Sequence, residues 1–152
     1  MSKNNIKQQL FEVCLKFIDN RFKAVRHTMN EIQESLLSET KSSAGDKHET
    51  GRAMLQLERE KAGNQLAEIE RTKQALLKTN IKNTYKTVAL GSLVYTSKFN
   101  YFITISAGEI TIGNEKFYAI SSSTPIAKLL LTKQVGAKIQ FLNDTFVIKR
   151  IE

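Results

Sequence analysis

Apolar residues follow two different rhythms along this chain, and the rhythm changes near residue 80. In the first half the spacing is helical. Val25, Met29, Ile32 and Leu36 follow 4-3-4 steps, and Ile18, Val25 and Ile32 recur every seventh residue. Further on, Leu55, Ala62, Leu66, Ile69 and Leu76 fall at steps of 7, 4, 3 and 7. Positions three and four apart share one helix stripe, and a sustained heptad is the seam along which helices coil together. The stretch holds no proline and is rich in Leu, Glu, Gln, Lys, Arg and Ala, all good helix formers. Between the two runs lies SETKSSAGDKHETG, residues 38–51, small and polar. Such a break predicts an antiparallel helical hairpin. Arms of about 30–36 residues give a rod of roughly 45–55 Å at 1.5 Å per residue. A domain of ~70 residues is too small to cover both sides of it, so the turn is expected to project into solvent.

From residue 81 the pattern alternates. Thr87–Leu90 and Leu93–Tyr95 flank Gly91-Ser92, and Tyr101–Ile105 is β-branched and aromatic. Glu109–Ile112, Lys116–Ile120, Ile139–Phe141 and Phe146–Ile148 continue the series, with Gly113-Asn114 and Asn143-Asp144 supplying turns. One short helix interrupts the strands: Thr124 is its cap, Pro125 its first residue, and Ile126–Leu131 follow, with Gly136 just beyond. The predicted fold class is α+β. A long antiparallel coiled-coil hairpin, roughly 4–79 within residues 1–80, precedes a small antiparallel sheet with one short helix in 81–152. The junction is expected at 80–86.

Composition narrows the setting. Hydrophobic residues make up 41% and charged residues 25%, as in soluble globular proteins. No apolar run approaches the ~20 residues that span a bilayer, and MSKNNIKQQL lacks the apolar core of a signal peptide. The expected compartment is the cytoplasm, with no membrane partner. Cys14 is the single cysteine, which excludes an internal disulfide and a cysteine-rich zinc site; between Val13 and Leu15 it reads as a small core residue. Net charge is +8; residues 1–80 carry 14 Lys/Arg against 11 Asp/Glu, and residues 81–152 carry 9 against 4. A basic surface favours a polyanion, nucleic acid or an acidic protein groove, unless it is simply a solvated, salt-screened surface.

The chemistry-bearing segment is the turn, Gly45-Asp46-Lys47-His48-Glu49-Thr50. Asp46 as cap and Glu49 three residues on form a capping box, and both carboxylates suit the positive end of a helix. The same two carboxylates, at i and i+3, share one face and are able to ligate a divalent ion. Mg²⁺ demands octahedral oxygen ligation, so the pair suffices only where another molecule completes the shell. The two readings are compatible.

Ser43-Ala44-Gly45-Asp46-Lys47-His48-Glu49-Thr50 resembles the hairpin tip of bacterial transcript-cleavage (Gre) factors, in which a Gly-Asp pair is followed by Glu three places after the Asp. The C-terminal half resembles the same family. Ile120 through Leu130, with Thr124-Pro125-Ile126-Ala127-Lys128, is similar to its strand followed by a Ser-Pro-Ile segment. Lys133-Gln134-Val135-Gly136 is similar to its next turn, and Val88–Val94 to its opening strand. The resemblance runs along nearly the whole chain and implies an FKBP-like C-terminal domain that docks on bacterial RNA polymerase. It implies that the hairpin enters the secondary channel, where Asp46 and Glu49 help hold a Mg²⁺ shared with the polymerase active site and position an attacking water. The backtracked RNA 3′ end is then hydrolysed. The chain would have no activity, small-molecule substrate or cofactor of its own. Lys47, His48, Arg52 and Pro125 are the implied nucleic-acid or polymerase contacts.

Some residues depart from the family pattern. Lys47-His48 replaces Leu-Ser between the two acids, Thr50 replaces Asn, and no aromatic follows in Gly51-Arg52-Ala53-Met54. Lys47 reduces the local negative charge, and His48 is either a third ligand or phosphate contact, or a solvated side chain. The clusters Arg21, Lys23, Arg26 and Arg52, Arg59, Lys61 read as contacts to the RNA 3′ segment or as ordinary helix flanks beside Glu58, Glu60, Glu68 and Glu70. Two further functions follow: a secondary-channel regulator that does not stimulate cleavage, and a prolyl isomerase. The isomerase needs a deep aromatic pocket, and this chain has no Trp.

Overall fold

Two helices open the chain: α1, Lys3–Lys41, with 39 residues, and α2, Asp46–Leu77, with 32. The computed structural model describes the backbone of residues 3–41 and 46–152 and the side chains of residues 6–39 and 49–152. At 1.5 Å per residue the helices are about 58 and 48 Å long. Six of the ten periodic positions, Ile18, Ile32, Leu36, Ala62, Ile69 and Leu76, are at most 6% exposed, and Val25, Met29, Leu55 and Leu66 are half-buried. Val25, Met29 and Leu55 pack around Ile32, Leu36 and Ala62. The predicted break at 38–51 is too long, since 38–41 and 46–51 are helical. A Cβ placed on Gly51 would lie 3.7 Å from the Glu39 carboxylate, so the helices still flank each other there. Polar composition there did not mean loss of helix, and Ser38, Glu49 and Thr50 are exposed helical residues.

The chain divides into two compact units, Ile18–Lys73 and the combination of Met1–Phe17 with Gln74–Glu152. The second contains six strands and a short helix: β1 Leu93–Thr96, β2 Asn100–Thr104, β3 Gly108–Ile112, β4 Glu115–Ser121, α3 Pro125–Leu130, β5 Lys138–Phe141 and β6 Asp144–Ile151. They form one sheet in the order β3-β4-β2-β1-β6-β5. The class is α+β, as expected.

Two expectations for this half fail. The sheet is mixed rather than antiparallel, because β2 and β4 run parallel, with Tyr101 opposite Tyr118 and Ile103 opposite Ile120. After β2 the chain passes the neighbouring position to lay down β3 at the edge. It then folds back over Gly113-Asn114, so that β4 fills the gap between them. Alternation identifies which residues share a face, but carries no information on strand direction. Thr87–Leu90 is not a strand either, and its one ladder contact is an isolated bridge from Thr87 to Gln134. Ser92 is the cause: its Oγ accepts from Ala89 N at 3.1 Å and donates to Ala89 O at 2.7 Å, diverting that backbone from a ladder. Gly91 completes the bend at φ +94°, where a Cβ would lie 3.0 Å from Asn80 O.

Both faces of the sheet centre are buried. Val94, Tyr101, Ile103, Phe146 and Ile148 on one face pack with Ala127 and Leu130 of α3 and with Val88 and Ile139. Leu93, Phe102 and Phe117 on the other are fully buried. The same compact unit holds the start of α1 and the end of α2, whose Leu10, Cys14 and Leu76 are fully buried as well. Every residue of β1 is buried, so this central strand reads as a continuous apolar run, Leu93-Val94-Tyr95, rather than as alternation.

Candidate functional site

The sequence directs attention to the start of α2. That helix begins at Asp46, one residue before the start that a cap at Asp46 predicts. The side chains of Asp46, Lys47 and His48 lie outside the described residues. Glu49 occupies the first turn of α2 and is exposed, as is Arg52 one turn on. Past them on α2, Met54 is 60% and Leu57 66% exposed, and Leu37 of α1 is 52% exposed.

No group of three or more His, Cys, Asp or Glu side chains that would hold a metal ion occurs among the described residues. A single exposed carboxylate such as Glu49 holds a divalent ion only as a supplement to a shell supplied by another molecule.

Pro125, the other sequence-derived contact residue, belongs to the sheet unit. It is exposed in the first turn of α3. Thr124 caps the helix in extended geometry, with φ −70° and ψ 151°. Its Oγ1 accepts from Ala127 N at 3.3 Å and donates to Ser121 O at 2.9 Å. Ser121 N donates to Ser106 Oγ at 3.2 Å, and the Ser121 and Ser123 hydroxyls are 3.0 Å apart. This serine-rich corner fixes how Pro125 is presented. Leu129, on the same short helix, is 39% exposed.

Sequence reasoning passed over one polar cluster in the sheet unit. Lys7 is 2% exposed. Its Nζ donates to Asn83 O at 3.0 Å and lies 5.0 Å above the centre of the Tyr85 ring. Burial pulls this amine down to about 8, against the opposing pull of the Glu152 charge. Beside it on the sheet, the Arg150 guanidinium stacks 3.9 Å over the Tyr95 ring and its Nε pairs with Glu152 at 3.1 Å. The Tyr95 hydroxyl is buried without a hydrogen-bond partner among the described residues, and burial pushes its phenol up. A signal for Lys7 was present: with Leu10, Cys14 and Ile18 it falls at 3-4-4 steps, on the buried stripe of α1. Its partner, 76 positions away, had none. Cys14 is fully buried, and burial pushes its thiol up to about 12, as suits a core residue.

No protein-family model, curated protein or solved structure matches the chain. What these residues do chemically therefore rests on their own arrangement: an exposed carboxylate at the start of a long helix in one unit, and an ordered Thr124-Pro125 corner in the other.

Proposed function

We propose that this chain is an accessory factor of bacterial RNA polymerase of the transcript-cleavage (Gre) type. In this reading the hairpin is a coiled coil that enters the secondary channel, and the sheet domain is FKBP-like and docks through the Pro125 corner. Asp46 and Glu49 complete the coordination of a Mg²⁺ that belongs to the polymerase, and the polymerase hydrolyses the backtracked RNA. The ion, when bound, would supply the Lewis acidity that such a hydrolysis needs. The chain's own part is to orient two carboxylates. One observation carries the reading: a Gly-Asp-x-x-Glu segment lies at the break between two helices of 39 and 32 residues, with α2 starting at Asp46 and Glu49 exposed.

A second reading keeps the polymerase and drops cleavage. Met54, Leu57 and Leu37 offer apolar contact just behind the tip, and Lys47 lowers the tip's negative charge. Both suit a regulator that occupies the channel without chemistry.

Defined backtracked elongation complexes with labelled RNA separate the two. Under the first reading the wild-type chain accelerates release of the 3′ fragment in Mg²⁺, and Asp46→Ala and Glu49→Ala abolish the acceleration while retaining binding. Binding without acceleration would establish the second. A chain that fails to bind the polymerase overturns both.

A further inference from the structure

The net charge of the molecule is confined to one of its units. Ile18–Lys73 holds ten Lys/Arg and ten Asp/Glu; the sheet unit holds 13 against 5, which is the whole of the +8. Within that unit residues 74–108 and 116–143 contain no acidic residue. Three of its five acids are already engaged: Asp144 by Lys98, Glu109 by Lys116 and Glu152 by Arg150.

Four of the ten remaining cations lie around the segment that joins α3 to β5. Val88 N donates to Lys133 O at 2.9 Å and Thr132 N to Val88 O at 2.8 Å, which brings Lys86 and Lys133 onto neighbouring stretches of backbone. Gly136 N donates to Ile148 O at 2.8 Å, and Lys138 pairs with Val147, which brings Lys138 and Lys149 onto neighbouring strands. Strand neighbours are about 4.8 Å apart, so the four lysines fall within roughly 20 Å. All four are exposed, and none has a carboxylate within 4.0 Å among the described residues.

Lysines on edge strands commonly block edge-to-edge pairing. That accounts for Lys138, since β5 is an edge of the sheet, but not for Lys86, Lys133 or Lys149, which lie off it. The choice of residue identifies the partner. Protein interfaces are depleted in Lys and enriched in Arg and aromatic residues, and carboxylate recognition favours the Arg fork. Here the four cations are all Lys, with Gln134, Val135, Gly136 and Ala137 between Lys133 and Lys138. Point charges on flexible stems suit a partner with uniform, dense negative charge. Duplex DNA carries one charge about every 1.7 Å of its axis.

We propose that Lys86, Lys133, Lys138 and Lys149, which the backbone pairing brings together around the segment joining α3 to β5, form a basic surface that binds the phosphate backbone of a nucleic-acid duplex without regard to sequence. The proposal goes beyond the polymerase reading and is independent of it, since neither Asp46 nor Glu49 takes part and no polymerase is needed to test it.

The test is fluorescence anisotropy of the full chain against a labelled mixed-sequence DNA duplex between 50 and 200 mM salt. Wild type is compared with a fourfold Lys→Gln variant at 86, 133, 138 and 149, and with a control carrying Lys→Gln at 16, 73, 78 and 116. Both variants lose the same net charge. The expected result is at least about a tenfold loss of affinity for the face variant, with the log–log salt slope shallower by up to about 3.6, while the control stays within about threefold of wild type. Equal losses in the two variants would overturn the proposal, because overall charge alone would then explain binding. So would absence of wild-type binding at the lowest salt. Displacement of the duplex by poly-glutamate at matched charge concentration would also overturn it, in favour of an acidic protein partner.

Discussion

The two compact units hold themselves together differently, and their surfaces differ accordingly. In Ile18–Lys73 each helix buries a single stripe, with Ile32, Leu36 and Ala62 at its centre. Its flanks are balanced, with pairs such as Arg71 to Glu68 at 2.6 Å, His27 to Glu31 at 2.7 Å and Lys73 to Asp19 at 3.5 Å. Exposed pairs of this kind each contribute at most about 1 kcal/mol, so the narrow seam supplies most of the stability. The sheet unit buries both faces of its central strands. A core of that depth tolerates an unbalanced surface, and this unit carries all of the chain's excess charge. Balance is a property of the hairpin and imbalance a property of the sheet, although the two are made from the same residue types.

The largest test of this contrast compares truncations in the two cores. Phe102 is fully buried between β1 and β4, and Phe102→Ala should cost about 3–5 kcal/mol in urea unfolding. Leu36, 6% exposed in a seam open on both sides, should cost nearer 2 kcal/mol as Leu36→Ala. Equal costs would mean that the hairpin seam is as deep as the sheet core.

Lys7 comes next, as a charge buried in the better-packed unit. Its amine falls from 10.5 to about 8 in the fold, an upper bound on the order of 3 kcal/mol at about 1.4 per pH unit. Lys7→Met should therefore stabilise the chain by about 1–3 kcal/mol at pH 7. Below pH 8 both states hold the proton and the cost is full. Between about 8 and 10.5 the unfolded chain binds more protons, so this group's contribution to stability rises with pH. Cys14 opposes that rise above pH 9, because its thiol, pushed up to about 12 in the fold, ionises first in the unfolded state. The advantage of Lys7→Met over wild type isolates Lys7 and should shrink from pH 8 to 10.5. A constant advantage would show that packing, not charge, is responsible.

Smaller effects probe the surfaces. Gly51→Ala should stabilise α2 by up to about 1 kcal/mol, since a Cβ there meets the Glu39 carboxylate at an ordinary 3.7 Å. Thermal unfolding checks this, and a loss would show that the helices approach more closely than that spacing allows. Leu142, at φ 56° and 81% exposed in the β5–β6 turn, occupies a conformation that favours glycine. Leu142→Gly should raise stability by about 0.5 kcal/mol, the smallest of these effects.

Local chemistry made part of this structure legible in advance. The Thr124-Pro125 cap of α3 depends on a few adjacent residues and was visible, and the start of α2 was legible to within one residue. The faces of β2, β4 and β6 followed from alternation. Their directions did not, since the parallel pairing of β2 with β4 is settled by the route of the chain through β3. Thr87–Leu90 looked like a strand because nothing in its own residues reveals that Ser92 captures Ala89. At the candidate site, Glu49 and Pro125 were legible as residues. The Lys7 contact with Asn83 was not, because only the tertiary fold joins them.

Cys14 gives the sheet unit a built-in reporter. It is the single thiol of the chain, fully buried and held protonated across the ordinary pH range. An alkylating or disulfide-exchange reagent reaches a thiolate only when that unit opens. The labelling rate of unmodified protein thus measures how often the sheet unit breathes, with no engineered probe. When a nucleic acid or a polymerase is added, any slowing of that rate reads out closure of this unit and no other.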